Sequence, residues 1–300
     1  MSGQTRKDTV SNLFSAYIRE LKLYQKSPHT ISGYETSFKM FCRFMDVQKL
    51  PIGVIKKETV LDYTEKLLNG DYAVSSINHY LRDLRAFLYW CMENNYIVPF
   101  KVKLLKDTTP LKRPYSKEEV KVLLRKPFPD DGFSEWRTWA IINMVIGCGV
   151  RSSTISNMLK QDIDYENNSI YLRHSKDGKN SNSIALVPQL KKAIVSYLKY
   201  NPNDTDYLFP SITGEQLSPH SIGLSLVRYN KKRGVEQTSL HLLRHTFGAL
   251  WAENGGDVYE LQRIMTHKDI RTTQNYINMY SDKASDTRVI RFNPLENINK

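Results

Sequence analysis

The chain has 300 residues, too many for one small domain and too few for many, so two domains is the first expectation. Lysine and arginine number 43 against 31 aspartates and glutamates, and the resulting formal charge of +12 favours a polyanionic partner, nucleic acid ahead of mere solubility. No stretch reaches the ~20 apolar residues that span a bilayer, and the polar start MSGQTRKDTVSN lacks the apolar centre of a signal peptide, so no membrane and a cytoplasmic location are expected.

From Thr9 to Tyr96 the pattern is helical throughout, broken at SPHT and KKET, and predicts helices near 8–25, 28–46, 57–69 and 74–94. In the second, Tyr34, Phe38, Phe41 and Met45 recur every three or four residues. That stripe reads as core, with a base-stacking row as the alternative. Cys42, Cys91 and Cys148 each sit among apolar neighbours with no paired spacing, so they read as buried thiols and not as zinc or redox ligands.

After Pro99 the composition shifts: between Lys101 and Lys126 nine basic residues face three acidic ones, and Pro110 and Pro114 interrupt helix. The expected plan is a helical domain over 1–100, a basic linker over 101–113 and a mixed domain over 114–300 ending in a tail. A solvated charge run and a cationic hinge on a duplex both fit the linker. The last domain opens with a capping box, Ser116 and Glu119. Trp136 to Ile146 predicts a buried helix ending in Gly147-Cys148-Gly149, whose glycines would let backbone approach a ligand. Ser169 to His174 and Ser183 to Val187 alternate around Lys176-Asp177-Gly178-Lys179, which predicts a β-hairpin or small sheet. Helices follow Pro188. The fold class is therefore mainly α with a small antiparallel β-sheet.

Reactive side chains gather late in the chain. His241 and Arg244, three apart after the N-cap candidate Ser239, share one face of a helix whose apolar stripe is Leu240, Leu243, Phe247 and Leu250. Both are expected to point away from the core into a groove or solvent. The next helix, capped by Asp257 with Glu260 in the reciprocal position, turns Val258, Leu261, Ile264 and Met265 inward and ends near His267. Asp269 can cap a short helix carrying Tyr276. Far upstream, Arg151 precedes Ser152 and Ser153, which can open a helix, so a structural salt bridge and an anion site at a helix start are equally open.

Taken together, Arg151, His241-x-x-Arg244, His267 and, nine residues on, Tyr276 resemble the catalytic signature of the tyrosine recombinase family, the phage lambda integrase type. Lys176 in the hairpin occupies the place of the family lysine, with Lys179 a rival at the same tip. The order of the residues and the plan of helical domain, linker and mixed domain agree, so the resemblance covers nearly the whole chain. Two departures stand out: Thr154 where the family usually has a buttressing glutamate, and Met265-Thr266-His267 where it usually has Leu-Gly-His.

The resemblance implies a site-specific DNA recombinase of compact, Xer-like or mobile-element type, with a core-binding helical domain and a catalytic domain clamped on a duplex. Tyr276 would attack phosphorus and form a 3′-phosphotyrosyl bond. A phenol with pKa near ~10 needs proton removal as it attacks, and His241 is the candidate base. Arg151 and Arg244 would bind the non-bridging oxygens, His267 would position the phosphate, and Lys176 would protonate the leaving 5′-hydroxyl. No metal, ATP or other cofactor is expected. The implied partners are a double-stranded recombination site and, on DNA, a homotetramer exchanging strands through a Holliday junction, monomeric or dimeric when free, with accessory proteins open. The tail from Asp282, with Val289, Ile290, Phe292 and Leu295, fits either its own domain or a neighbouring copy. A type IB topoisomerase-like nicking enzyme and a catalytically silent DNA-binding regulator are the alternatives.

Overall fold

The computed structural model describes residues 8–107, 113–172, 182–267 and 269–274. The chain divides into two units, Met1–Leu111 and Lys112–Lys300, each with its own hydrophobic core.

Four amphipathic helices build the first unit: α1 Val10–Leu23, α2 Pro28–Met45, α3 Lys57–Asn69 and α4 Val74–Glu93. Polar caps start the first two, Thr9 accepting from Asn12 N at 3.2 Å and Ser27 from Thr30 N at 3.2 Å, while Pro28 pre-sets the first turn of α2. Helix α4 packs against the other three. Aromatic rings fill the space between them: Phe14 stacks on Phe38 at 3.7 Å, and Phe87 meets both edge-on at 5.3 and 5.8 Å. The stripe on α2 is thus core, with Phe41 fully buried and Tyr34, Phe38 and Met45 packed beside it. The chain beyond Pro99 returns to this core. Val102 is 3% exposed, and the Asn78 amide holds the Leu105 backbone in both directions, at 2.9 and 2.8 Å.

The second unit is mainly helical around one small sheet. Its opening helix α5, Lys117–Leu123, carries the expected capping box, Ser116 Oγ accepting from Glu119 N at 3.1 Å and Glu119 Oε2 from Ser116 N at 2.7 Å. Helix α6, Phe133–Cys148, is buried around most of its circumference because α8 Pro188–Leu198, α9 Pro219–Lys232 and α10 Leu240–Glu253 pack against it. Short α7, Ser152–Asn157, leads to the strands β1 Ile163–Asp164, β2 Ser169–Leu172 and β3 Asn182–Ala185, antiparallel in that order. Ile170 pairs with Ile163 on one side and Ile184 on the other, so one face of the sheet joins the core. Helix α11, Val258–Met265, completes the described elements, followed by helical residues at 270–274. Cys42, Cys91 and Cys148 are buried free thiols.

Buried Asp162 accepts through Oδ2 from Leu159 N at 2.8 Å, while Asp164 closes the turn before β2 by accepting from Asn167 N at 2.8 Å. One local expectation changes. Gly147 and Gly149 serve packing instead of ligand approach. A Cβ on Gly147 would meet Leu190 Cδ2 at 3.2 Å. Gly149 caps α6 with φ +59°, and a Cβ there would lie 2.4 Å from Phe247 Cδ1.

Left-handed backbone and ring overlap both oppose a side chain at 149. Gly149→Ala is expected to destabilise the second unit by about 2–4 kcal/mol. Urea unfolding followed by tryptophan fluorescence reads this as a lowered midpoint, and an unchanged midpoint contradicts the packing argument.

Candidate active site

Three chain segments converge through their main chains. The first is the end of α6, where Gly149 turns left-handed and leaves its carbonyl pointing out of the helix. The second is the first turns of α10, started by Ser239, whose Oγ accepts from Leu242 N at 3.3 Å. The third is the end of α11, where Thr266 N donates to Arg263 O at 3.2 Å and His267 N to Gln262 O at 3.0 Å. That last pair of bonds is a Schellman closure, and it places Thr266 in the left-handed position with φ 51° and ψ 48°.

Arg244 ties these segments together. Its two terminal nitrogens donate to Gly149 O and to Met265 O, which links the C-termini of α6 and α11 through one planar fork. The negative ends of two helix dipoles thereby face a buried guanidinium. Arg244 is only 4% exposed, so the expectation that it points away from the core is corrected. On the helix, position 244 borders Leu240 and Phe247, and its head reaches the carbonyls of Gly149 and Met265. His241 itself is exposed, as expected.

Arg151 is the N-cap of α7 and is exposed, and its guanidinium donates to the Thr266 hydroxyl and, at 3.0 Å, to the Thr266 carbonyl. The structural salt bridge weighed for it is not formed among the described residues. Two arginines 93 positions apart in sequence therefore hold consecutive peptide groups, Met265 and Thr266.

The imidazoles complete the cluster. His241 Nε2 and His245 Nε2 lie 2.8 Å apart, so one ring donates while the other accepts. His267 Nδ1 lies 2.9 Å from the hydroxyl of buried Thr273, which fixes its ring plane. Burial, then Arg244 and Arg151, holds the His241 pKa below its ordinary value. Burial, His241 and Arg244 push His245 down to about 4, and burial with Arg244 and Arg151 does the same to His267, again to about 4. Each shift favours the neutral ring at pH 7. A neutral ring beside guanidinium groups can accept a proton, and the guanidinium N–H groups can bind an oxyanion. No group of three metal-ligating side chains occurs among the described residues.

The structure thus brings together Arg151, His241, Arg244 and His267. Tyr276, Lys176, Lys179 and the tail from Asp282 lie outside the described residues. Two members of the cluster escaped the reading of the sequence. His245, four residues after His241, was legible as a same-face neighbour. Thr266 was not, because its contact depends on a left-handed backbone that threonine rarely adopts. The expected reciprocal bond from Glu260 to the start of α11 is not formed among the described residues. Asp257 Oδ1 accepts from Glu260 N at 2.8 Å, and Glu260 pairs with Arg263 at 3.6 Å instead.

Depressed histidine pKa values carry a sign for stability. Between the unfolded value near about 6.5 and about 4, the unfolded chain binds more protons at His245 and His267 than the native state does. Their contribution is therefore fully present above pH ~6.5 and is lost as pH falls toward 4. The urea midpoint of the second unit should drop between pH 7 and pH 5, and the double substitution His245→Asn with His267→Asn should flatten that drop. An equally steep drop in the double variant contradicts the assignment.

The "Phage integrase family" model matches residues 116–283, and the "Phage integrase, N-terminal SAM-like domain" model matches residues 14–95. Tyrosine recombinase XerA of Pyrococcus furiosus is 29% identical over 301 residues, covering 99% of this chain and 99% of that protein. Among solved structures, the Tn1549 transposon integrase in complex with a circular intermediate DNA superposes with TM-score 0.75 at 22% identity, covering 89% of this chain and 94% of the other. The lambda integrase tetramer bound to a Holliday junction gives TM-score 0.72 at 15% identity over 90% of this chain and 77% of the other, so the fold is shared with both. With one family model spanning the helices, sheet and arginine cluster of the second unit and another spanning the helices of the first, the chain belongs to the phage integrase family.

Proposed function

We propose that this chain is a site-specific DNA recombinase that cuts and rejoins strands through a 3′-phosphotyrosyl intermediate. The observation that carries the reading is the convergence of Arg151 and Arg244 on the Met265–Thr266 turn, beside two neutral imidazoles. Full-length similarity to a protein named as a tyrosine recombinase supports it.

In this mechanism the scissile phosphate sits between the two guanidinium groups, which stabilise the charge that grows on its non-bridging oxygens during attack. Tyr276 is the nucleophile. His241 takes its proton, and the bond between His241 and His245 holds the accepting ring in place. His267, oriented by Thr273, donates to the phosphate. Lys176 delivers a proton to the departing 5′-oxygen. The energy of the broken bond is kept in the phosphotyrosyl link, so a 5′-hydroxyl from a second strand can reverse the step without ATP. Four copies act on paired sites and pass through a Holliday junction. Residues 1–100 supply site recognition and 114–300 the chemistry, joined by a basic linker over 101–113 whose first residues, Val102 to Leu105, lie on the first core. The charge of +12 draws the chain to the duplex and makes binding salt-dependent.

Nicked suicide duplexes taken from DNA beside the gene test the nucleophile. Wild type should give a covalent protein–DNA adduct and Tyr276→Phe none; an adduct from Tyr276→Phe contradicts the assignment, and an adduct on every sequence favours a topoisomerase-like enzyme. The leaving-group acid is tested with a 5′-bridging sulfur, which leaves without a proton. Lys176→Ala should slow cleavage of the oxygen ester by roughly 10²–10⁴-fold and cleave the sulfur ester at the wild-type rate, while Lys179→Ala matches wild type on both. The opposite pattern moves the role to Lys179.

A further inference from the structure

Thr266 stands where a helix-closing Schellman turn ordinarily holds glycine, because φ is positive there and a Cβ is penalised. Six non-glycine residues among those described have positive φ: Gln25, Asp46, Asp71, Asn95, Asn168 and Thr266. Only threonine among them is β-branched, the side-chain type for which this region is a true outlier. Strain of this kind persists where something else is gained from the residue.

The gain lies in what the side chain touches. The Thr266 hydroxyl and carbonyl accept from the two terminal nitrogens of Arg151, one each. No carboxylate pairs with Arg151 among the described residues, and Thr154, in the first turn of α7 three residues further on, brings no charge to it. Arg151 is exposed on its own side, so nothing but Thr266 is shown holding its head group. Glycine at 266 would relax the backbone and leave a single hydrogen bond, free to pivot.

Resting on the recombinase reading above, we propose that Thr266 is a positioning residue: its hydroxyl fixes the Arg151 guanidinium plane toward the scissile phosphate, and the left-handed backbone is retained for that contact despite its strain. The Thr266 contacts use two of the five guanidinium N–H groups, which leaves a further edge of Arg151 to meet the phosphate. The consequence is unusual for a substitution at an ordered turn. Removing the hydroxyl should improve the fold and impair the chemistry.

Three variants, Thr266→Gly, Thr266→Ser and Thr266→Gly combined with Arg151→Ala, are compared with wild type and Arg151→Ala. Each is measured for urea midpoint, affinity for the suicide duplex and rate of adduct formation. Thr266→Gly should keep or raise the midpoint, leave affinity within about two-fold and slow adduct formation by roughly 10–100-fold, the loss of one hydrogen bond to a charged group. Thr266→Ser, which keeps the hydroxyl without the β-methyl, should stay near the wild-type rate. In the Arg151→Ala background, Thr266→Gly should add no further loss of rate while its effect on the midpoint persists. A Thr266→Gly enzyme at the wild-type rate overturns the proposal, as does a rate loss that persists without Arg151 or that tracks a lowered midpoint. Absence of adduct from wild type instead overturns the recombinase reading, and this proposal with it.

Discussion

Two arginine side chains anchored on main-chain carbonyls at a helix end are the constraint on which the site depends. A guanidinium withdrawn from water needs hydrogen bonds to replace the lost hydration. Arg244 meets Gly149 O and Met265 O, each at a helix C-terminus where unsatisfied carbonyls gather and the dipole is negative. The protein thus holds a buried cation on peptide dipoles, and it closes α6 and α11 against α10 with the same bonds. Gly149 makes this possible twice over: its left-handed turn exposes the carbonyl, and its missing Cβ admits Phe247.

Electrostatic consequences follow from that anchoring. Partial burial and then positive neighbours favour the neutral forms of His241, His245 and His267, so the cluster offers proton acceptors beside fixed positive charge. An arriving phosphate would reverse part of this balance by favouring the protonated rings. In the proposed mechanism the same imidazole takes a proton in one direction of strand transfer and returns it in the other. Pre-organisation carries the catalytic weight in that mechanism, because the turn already holds the arginine head groups.

Much of the fold was legible from periodicity and caps. Helices α2 and α3 begin and end within a residue of the reading because Ser27 with Pro28 and the KKET break are strong local signals. The continuous apolar run of α6 announced a central buried helix, and the alternation around 169–187 announced the sheet. Long-range geometry was not legible. Helical phase pointed Arg244 away from the core, and the carbonyls of Gly149 and Met265, distant in sequence, draw it in. The roles of Gly147 and Gly149 went the same way, since only packing against Leu190 and Phe247 separates a close helix contact from a close ligand contact. Thr266 read as a mere departure from a family pattern, and its meaning depends on Arg151, 115 residues earlier.

In the proposed mechanism the two arginines neutralise charge on the scissile phosphate. A suicide duplex whose scissile phosphate is replaced by an uncharged methylphosphonate tests it most directly, using Arg151→Ala because Arg151 is exposed and its loss leaves the core intact. On the ordinary phosphate the variant should form adduct roughly 10²–10³-fold more slowly than wild type, and on the methylphosphonate the two should react at similar rates. An equal defect of Arg151→Ala on both substrates contradicts the account.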